Sequence, residues 1–231
     1  MGPTRIAYFD VDGTLTTDTS LFRFLDFYLA ATGRPPRAYQ QARQELKAMT
    51  AMGIPRVETN RAYFDNLAGA RAADVASLAR AWFQQELHHG GYFNDHAVRA
   101  LRQHQENGDL TILVSGSFPA LLEPIATWLG TDETWCTSPQ IRNGRYTGRL
   151  SAPPMIGQRK ADTVLLSASV HRADIRNCTA YGDHVSDLPM LHTTGRAVVV
   201  GGDEALRRIA QCRGWRLLPA APLSPCRTKG A

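Results

Sequence analysis

The sequence predicts an α/β protein: a parallel sheet between two layers of helices, with a block of further helices inserted near its start. Three observations carry this prediction. The short runs Ile6–Phe9, Leu110–Val114, Asn177–Tyr181 and Ala197–Val200 stop at Asp10, Ser115, Gly182 and Gly201, with helix-period segments between them. That is the pattern of strands buried on both faces of a parallel sheet. From Ser20 to about His89 no strand signal occurs. Hydrophilic clusters, Asp10 with Asp12, Ser115 with Ser117, and Asp183 with Asp187, follow the runs, where sheets of this kind assemble their sites.

The elements follow in order. Ile6-Ala-Tyr-Phe9 reads as a strand, and Asp10-Val-Asp-Gly-Thr14 as the turn after it. Leu21, Phe24, Leu25, Tyr28 and Leu29, and later Val75, Leu78, Ala79, Trp82 and Phe83, recur at helical spacing. Breaks are expected near Gly33–Pro36, Gly53–Pro55 and Gly69. Asp95 to Gln105 reads as a helix closed by Asn107-Gly108, followed by the strand Leu110–Val114, the turn Ser115-Gly-Ser117 and a helix from Pro119 to Leu129. Between Thr134 and Leu150, an Asn143-Gly144 turn flanked by Ile141 and Tyr146 predicts a hairpin. A helix from Arg159 to about Ser169 and the last two strands complete the core. The tail from Pro219 has no periodicity and reads as a poorly ordered terminus. The expected division is a core of residues 1–16 and 91–218, a helical insert of 17–90 and a tail of 219–231.

Composition limits the function classes. A chain of 231 residues suits one full core plus a smaller inserted domain, and 43% hydrophobic with 20% charged residues is ordinary for a globular protein. The longest apolar runs are far too short to cross a bilayer. The N-terminus enters the first strand without the apolar core of a signal peptide. Cys136, Cys178, Cys212 and Cys226 form no CxxC pair, and the seven histidines show no HxxxH spacing. Neither zinc nor a disulfide framework is expected, and a reduced, cytoplasmic protein is. The net charge of +5 is dispersed along the chain, so it reads as a solvated surface that attracts anionic substrates, with no nucleic-acid or membrane partner. No stripe stands apart from the expected cores to mark an oligomer interface.

Phe9-Asp-Val-Asp-Gly-Thr-Leu15, Val114-Ser-Gly-Ser117, Lys160 and Gly182-Asp-His-Val-Ser-Asp-Leu-Pro-Met-Leu191 resemble, in order, the four motifs of the haloacid-dehalogenase-like superfamily. The helical insert directly after the first motif, and the wording Gly-Asp-x-x-x-Asp-Leu-Pro-Met, resemble its phosphoserine-phosphatase-like branch. The resemblance implies a three-layer, Rossmann-like core with a helical cap. It also implies Mg²⁺-dependent hydrolysis of a small phosphorylated metabolite through a phospho-aspartate on Asp10.

The chemistry shows why these residue types are needed. A dianionic phosphate ester repels a carboxylate unless a cation neutralises charge between them. The resemblance makes Asp12 the general acid and base, an acid at this position going with phosphoryl transfer from oxygen. It makes the Asp10 side chain, the Asp12 backbone carbonyl and the Asp183 side chain the metal ligands, with Asp187 as a water or orientation partner. Ser115 and the Gly116 amide would hold the phosphoryl oxygens. Lys160, 23 residues before Asp183, would balance their charge. Arg61, on the helix expected from Val57 to Leu67, is similar in placement to the cap arginine that binds a substrate carboxylate. Near Thr19 the branch has an acidic residue that reads the amino group of phosphoserine. Thr19 is uncharged, which speaks against phosphoserine, while Asp18 leaves a cationic substrate open. A phosphotransferase or phosphomutase, and a catalytically silent ligand-binding member, are the competing readings.

Overall fold

In the computed structural model, which describes residues 4–220, β1 (Ile6–Phe9) leads into four helices: α1 (Ser20–Ala31), α2 (Pro36–Ala51), α3 (Arg56–Tyr63) and α4 (Ala72–His89). Then come α5 (Asp95–Glu106), β2 (Leu110–Ser115), α6 (Pro119–Leu129), β3 (Glu133–Cys136), β4 (Pro139–Arg142) and β5 (Arg145–Leu150). The chain finishes with α7 (Gln158–Val170), β6 (Thr179–Gly182), α8 (Leu188–Thr193), β7 (Arg196–Val200), α9 (Glu204–Arg213) and β8 (Arg216–Leu218). Six strands form one sheet in the order β3-β2-β1-β6-β7-β8, and every neighbouring pair is parallel. β4 and β5 form a separate antiparallel hairpin.

Side-chain alternation explains why the sheet is covered on both faces. Ile6 and Tyr8 of β1 join Ile112, Val114, Ala180 and Val199 in a core completed by Val164, Met190, Leu191 and Leu206 from α7, α8 and α9. Ala7 and Phe9 turn the other way, to Leu113, Tyr181 and Val198, and pack with Leu101, Leu121 and Ile125 of α5 and α6. The second core continues without a break into the helical insert, through Phe24, Leu25, Tyr63, Val75 and Trp82. The α/β, three-layer expectation therefore describes the molecule.

Several elements differ from the sequence reading. The segment expected to be one hairpin from Thr134 to Leu150 first contributes β3 to the parallel sheet and only then forms β4 and β5. β3 and β8 are the edge strands of the sheet and partly exposed, so neither carries the apolar run that marks a buried strand. The helix expected from Val57 to Leu67 ends at Tyr63 and tightens into a 3₁₀ turn over Phe64–Leu67. Of the tail, only Pro219 and Ala220 are described, so the expectation for it lies outside the described residues. Cys136, Cys178 and Cys212 are free thiols; Cys226 lies outside the described residues. Among those residues no helix is long and apolar enough to cross a membrane.

Phe118 joins these parts. It follows the β2 turn, is fully buried, and has its ring centroid 6.2 Å from Phe24, 6.5 Å from Tyr63, 5.5 Å from Phe64 and 6.1 Å from Tyr146. Sheet, insert and hairpin thus meet at one ring. Phe118→Ala should cost about 3–5 kcal/mol of stability by denaturant unfolding; a loss below about 1 kcal/mol would show that the ring does not join them.

Candidate active site

β1 lies between β2 and β6, so the chain leaves β1 in opposite directions along the sheet, and a crevice opens beyond the carboxyl ends of these strands. Asp10 is the first residue past β1, with its N–H still donating to Tyr181 O at 3.0 Å. Beyond it the loop closes on itself, because the N–H groups of Thr14, Leu15 and Thr16 all point to Val11 O at 2.9–3.2 Å. Gly13 makes that closure possible at φ +87°, and a Cβ there would sit 2.3 Å from Asp183 Oδ2. Only glycine satisfies both the backbone and the close approach of Asp183.

Lys160, in the first turn of α7, is 3% exposed. Its Nζ donates to Asp10 Oδ1 at 2.5 Å and to Asp187 Oδ1 at 2.7 Å. Asp187 Oδ2 also accepts the His184 N–H at 3.3 Å, and His184 Nδ1 accepts the Ser186 N–H at 3.0 Å, which fixes the short 3₁₀ turn after β6. Thr14 Oγ1 lies 3.2 Å from Asp10 Oδ2 and 3.0 Å from Asp183 Oδ1, so its one proton serves both carboxylates. The Asp12 carboxylate accepts the Ser20 N–H at 2.8 Å and so caps the start of α1. Ser115 Oγ accepts the Ser117 N–H at 3.1 Å. Gly116 O accepts from Asn60 Nδ2 at 3.0 Å and from Thr137 Oγ1 at 2.9 Å.

Burial drives the electrostatics. It raises the pKa of Asp10, against the pull of Lys160 and together with the charge of Asp187. Burial also lifts Asp12 to about 6, although the Ser20 hydrogen bond favours its charged form. Asp183 rises to about 8 through burial and the neighbouring charges of Asp10 and Asp187. For Lys160 burial works the other way, but the Asp10 and Asp187 carboxylates outweigh it and the ammonium is held firmly. Burial and the charge of Arg56 lower the pKa of His184.

Asp10, Asp183 and Asp187 each offer a carboxylate oxygen, all within 4.8 Å of one another. Lys160 is the one cation paired with this group among the described residues. Clustered oxygen donors with uncompensated negative charge are the donor set of a hard divalent cation, so these residues fit Mg²⁺.

The expected residues do not all converge. Asp10, Asp12, Ser115, Gly116, Lys160 and Asp187 line one cavity of about 350 Å³, which Thr19 also lines. Asp183 joins them through the carboxylate cluster. Arg61 does not: it pairs with Glu58 at 2.9 Å and lines a different cavity. The arginine of this cavity is Arg56. Arg56, Thr59, Asn60 and Tyr63 all line it, at positions i, i+3, i+4 and i+7 of one helix face, whereas a residue five places from Arg56 falls about 140° around the axis. That spacing sets Arg56 and Asn60 on one face and Arg61 off it. Asp18, beside Thr19, accepts the Thr19 N–H at 2.8 Å, lies 3.9 Å from Arg23 and does not line the cavity.

Comparison with known proteins finds relatives over most of the chain. The family model of haloacid dehalogenase-like hydrolases matches residues 7–192. A probable phosphatase of Mycobacterium tuberculosis is 29% identical over 215 residues, 92% of this chain and 74% of that protein. A phosphoserine phosphatase of the same organism is 29% identical over 224 residues, 93% of this chain and 70% of that one. Among solved structures, a Bordetella pertussis protein of unknown function is 27% identical with a TM-score of 0.84, covering 94% of this chain and 99% of its own.

The carboxylate cluster yields a stability prediction. Asp183 has no cationic partner among the described side chains, and its neighbours raise its pKa. In chelator at about pH 9, where this carboxyl is ionised, Asp183→Asn should therefore raise the melting temperature, by about 2–4 °C for each kcal/mol of repulsion removed. An unchanged or lower value would contradict the charge imbalance.

Proposed function

This chain belongs to the haloacid dehalogenase-like hydrolases, in their phosphoserine-phosphatase-like branch, and from that membership we propose how its site works. The protein is a phosphoric monoester hydrolase. In our reading it cleaves a small phosphomonoester through a phospho-aspartate on Asp10. The observation that carries this reading is the hold of buried Lys160 on Asp10 and Asp187, 2.5 and 2.7 Å away. It keeps one Asp10 oxygen engaged and leaves the carboxylate facing the cavity beside Asp12.

One Asp10 oxygen forms a bond to phosphorus as the bond from phosphorus to the ester oxygen breaks. Asp12 gives its proton to the departing oxygen. A water oxygen then attacks phosphorus, Asp12 takes up the water's proton, and the bond to Asp10 breaks to release inorganic phosphate. A carboxyl pushed up to about 6 suits both duties, since it gains and loses a proton near neutral pH. Lys160 and Arg56 offset the charge of the phosphoryl group. Ser115 Oγ and the Gly116 N–H are the proposed donors to its oxygens, near the N-terminus of α6. Asp10, Asp183 and the Asp12 backbone carbonyl would hold Mg²⁺ with Asp187 beside them, and the ion neutralises charge shared by nucleophile and ester. The insert, residues 17–90, serves as a cap that excludes water and presents one face of α3 to the leaving group. Phosphorylated metabolites of this kind are held inside cells, which supports a cytoplasmic location.

Phosphate release from p-nitrophenyl phosphate with Mg²⁺ tests the reading. Asp10→Asn should lower turnover by about 10³-fold or more while the far-ultraviolet circular dichroism is kept; activity near wild type would refute the nucleophile. Asp12→Ala should hurt an alkyl phosphate at least about tenfold more than the aryl ester, whose leaving group needs less protonation. Equal losses would remove Asp12 from the acid role.

A further inference from the structure

The residues that line the cavity fall into two sets. Asp10, Asp12, Asp187 and Lys160 are charged. The charge of Arg56 bears on Asp10, Asp12 and His184, which puts Arg56 with that set. The others include the apolar Leu21, Phe22, Leu46, Ile54 and Ile156, interleaved with uncharged polar groups, among them Thr19, Thr50, Thr59 and Asn60. Asn60 donates its Nδ2 to Gly116 O, and its buried Oδ1 has no partner among the described residues.

No carboxylate other than Asp10, Asp12 and Asp187 lines the cavity. Asp18 holds the Thr19 N–H and lies near Arg23. Glu58 pairs with Arg61 and lines another cavity. Glu86 is ion-paired with Arg23 and accepts the Trp82 indole N–H at 2.9 Å, outside the cavity. An ammonium group placed against the apolar wall would lose its hydration with no counter-charge. A volume of about 350 Å³ lies at the small end for ligand sites, enough for a metabolite and too small for a phosphorylated protein segment.

We infer that the substrate is a phosphomonoester of a small apolar alcohol, aliphatic or aromatic, and not of an amino alcohol or amino acid. The inference rests on the phosphatase reading above and specifies its leaving group. Apolar area removed from water is the source of selectivity here, so affinity for the transition state grows with each methylene that reaches Leu46, Ile54 and Ile156.

The test is kcat/KM, with Mg²⁺ present, for ethyl, propyl and butyl phosphate, for 2-aminoethyl phosphate and phosphoserine, and for p-nitrophenyl phosphate as reference. The alkyl series should climb by about fourfold or more per methylene, and butyl phosphate should exceed 2-aminoethyl phosphate and phosphoserine by about tenfold or more. In Ile54→Asp, the ratio of 2-aminoethyl to butyl phosphate should rise by about tenfold. A flat series, a preference for either amino compound, or an unchanged ratio in the variant would overturn the inference while hydrolysis of the aryl ester leaves the phosphatase reading standing. Failure to hydrolyse the aryl ester would sink that reading instead, and this inference with it.

Discussion

One buried ammonium organises the catalytic end of this molecule. Three carboxylates approach within 4.8 Å in a region where charge is costly to desolvate, and Lys160 neutralises only part of them. The arrangement persists because strong elements hold every member: β1, β6 and α7 are anchored in two apolar cores on opposite faces of the sheet. Packing elsewhere thus sustains a local electrostatic conflict, of the kind that a divalent cation would relieve.

The parallel sheet places the groups without long-range coordination. Asp10, Ser115 and Asp183 lie at or just past the ends of three neighbouring strands, so pairing those strands brings the groups together. This is why these three candidate residues were readable from the sequence: each followed an apolar run, and parallel order did the rest. The edge strands β3 and β8 were not readable, since half-exposed positions such as Glu133, Thr134 and Arg216 show neither an apolar run nor a clean alternation. Arg61 and Arg56 illustrate another limit. Arg61 lies on the helix expected from Val57 and Arg56 just before it, but which face of α3 meets the sheet depends on packing against Phe118 and Leu21, through Tyr63, and on contacts distant in sequence.

Thr14 and Asn60 were missed for a related reason. A threonine after a glycine turn and an asparagine on an exposed-looking helix carry no signal of their own. Their meaning comes from partners far along the chain, Asp183 for one and Gly116 for the other. Polar residues whose role is to steady another polar group become visible only when the fold is known.

The short helix α3 has one further consequence. Four of its eight residues line the cavity, yet Tyr63 alone among the eight is buried. This part of the cavity wall is therefore carried by a segment on which little of the fold's stability depends. Replacements along that helix can alter which guest is accepted while the sheet and its carboxylates stay intact, so lineages built on this scaffold can drift in diet without first losing their chemistry.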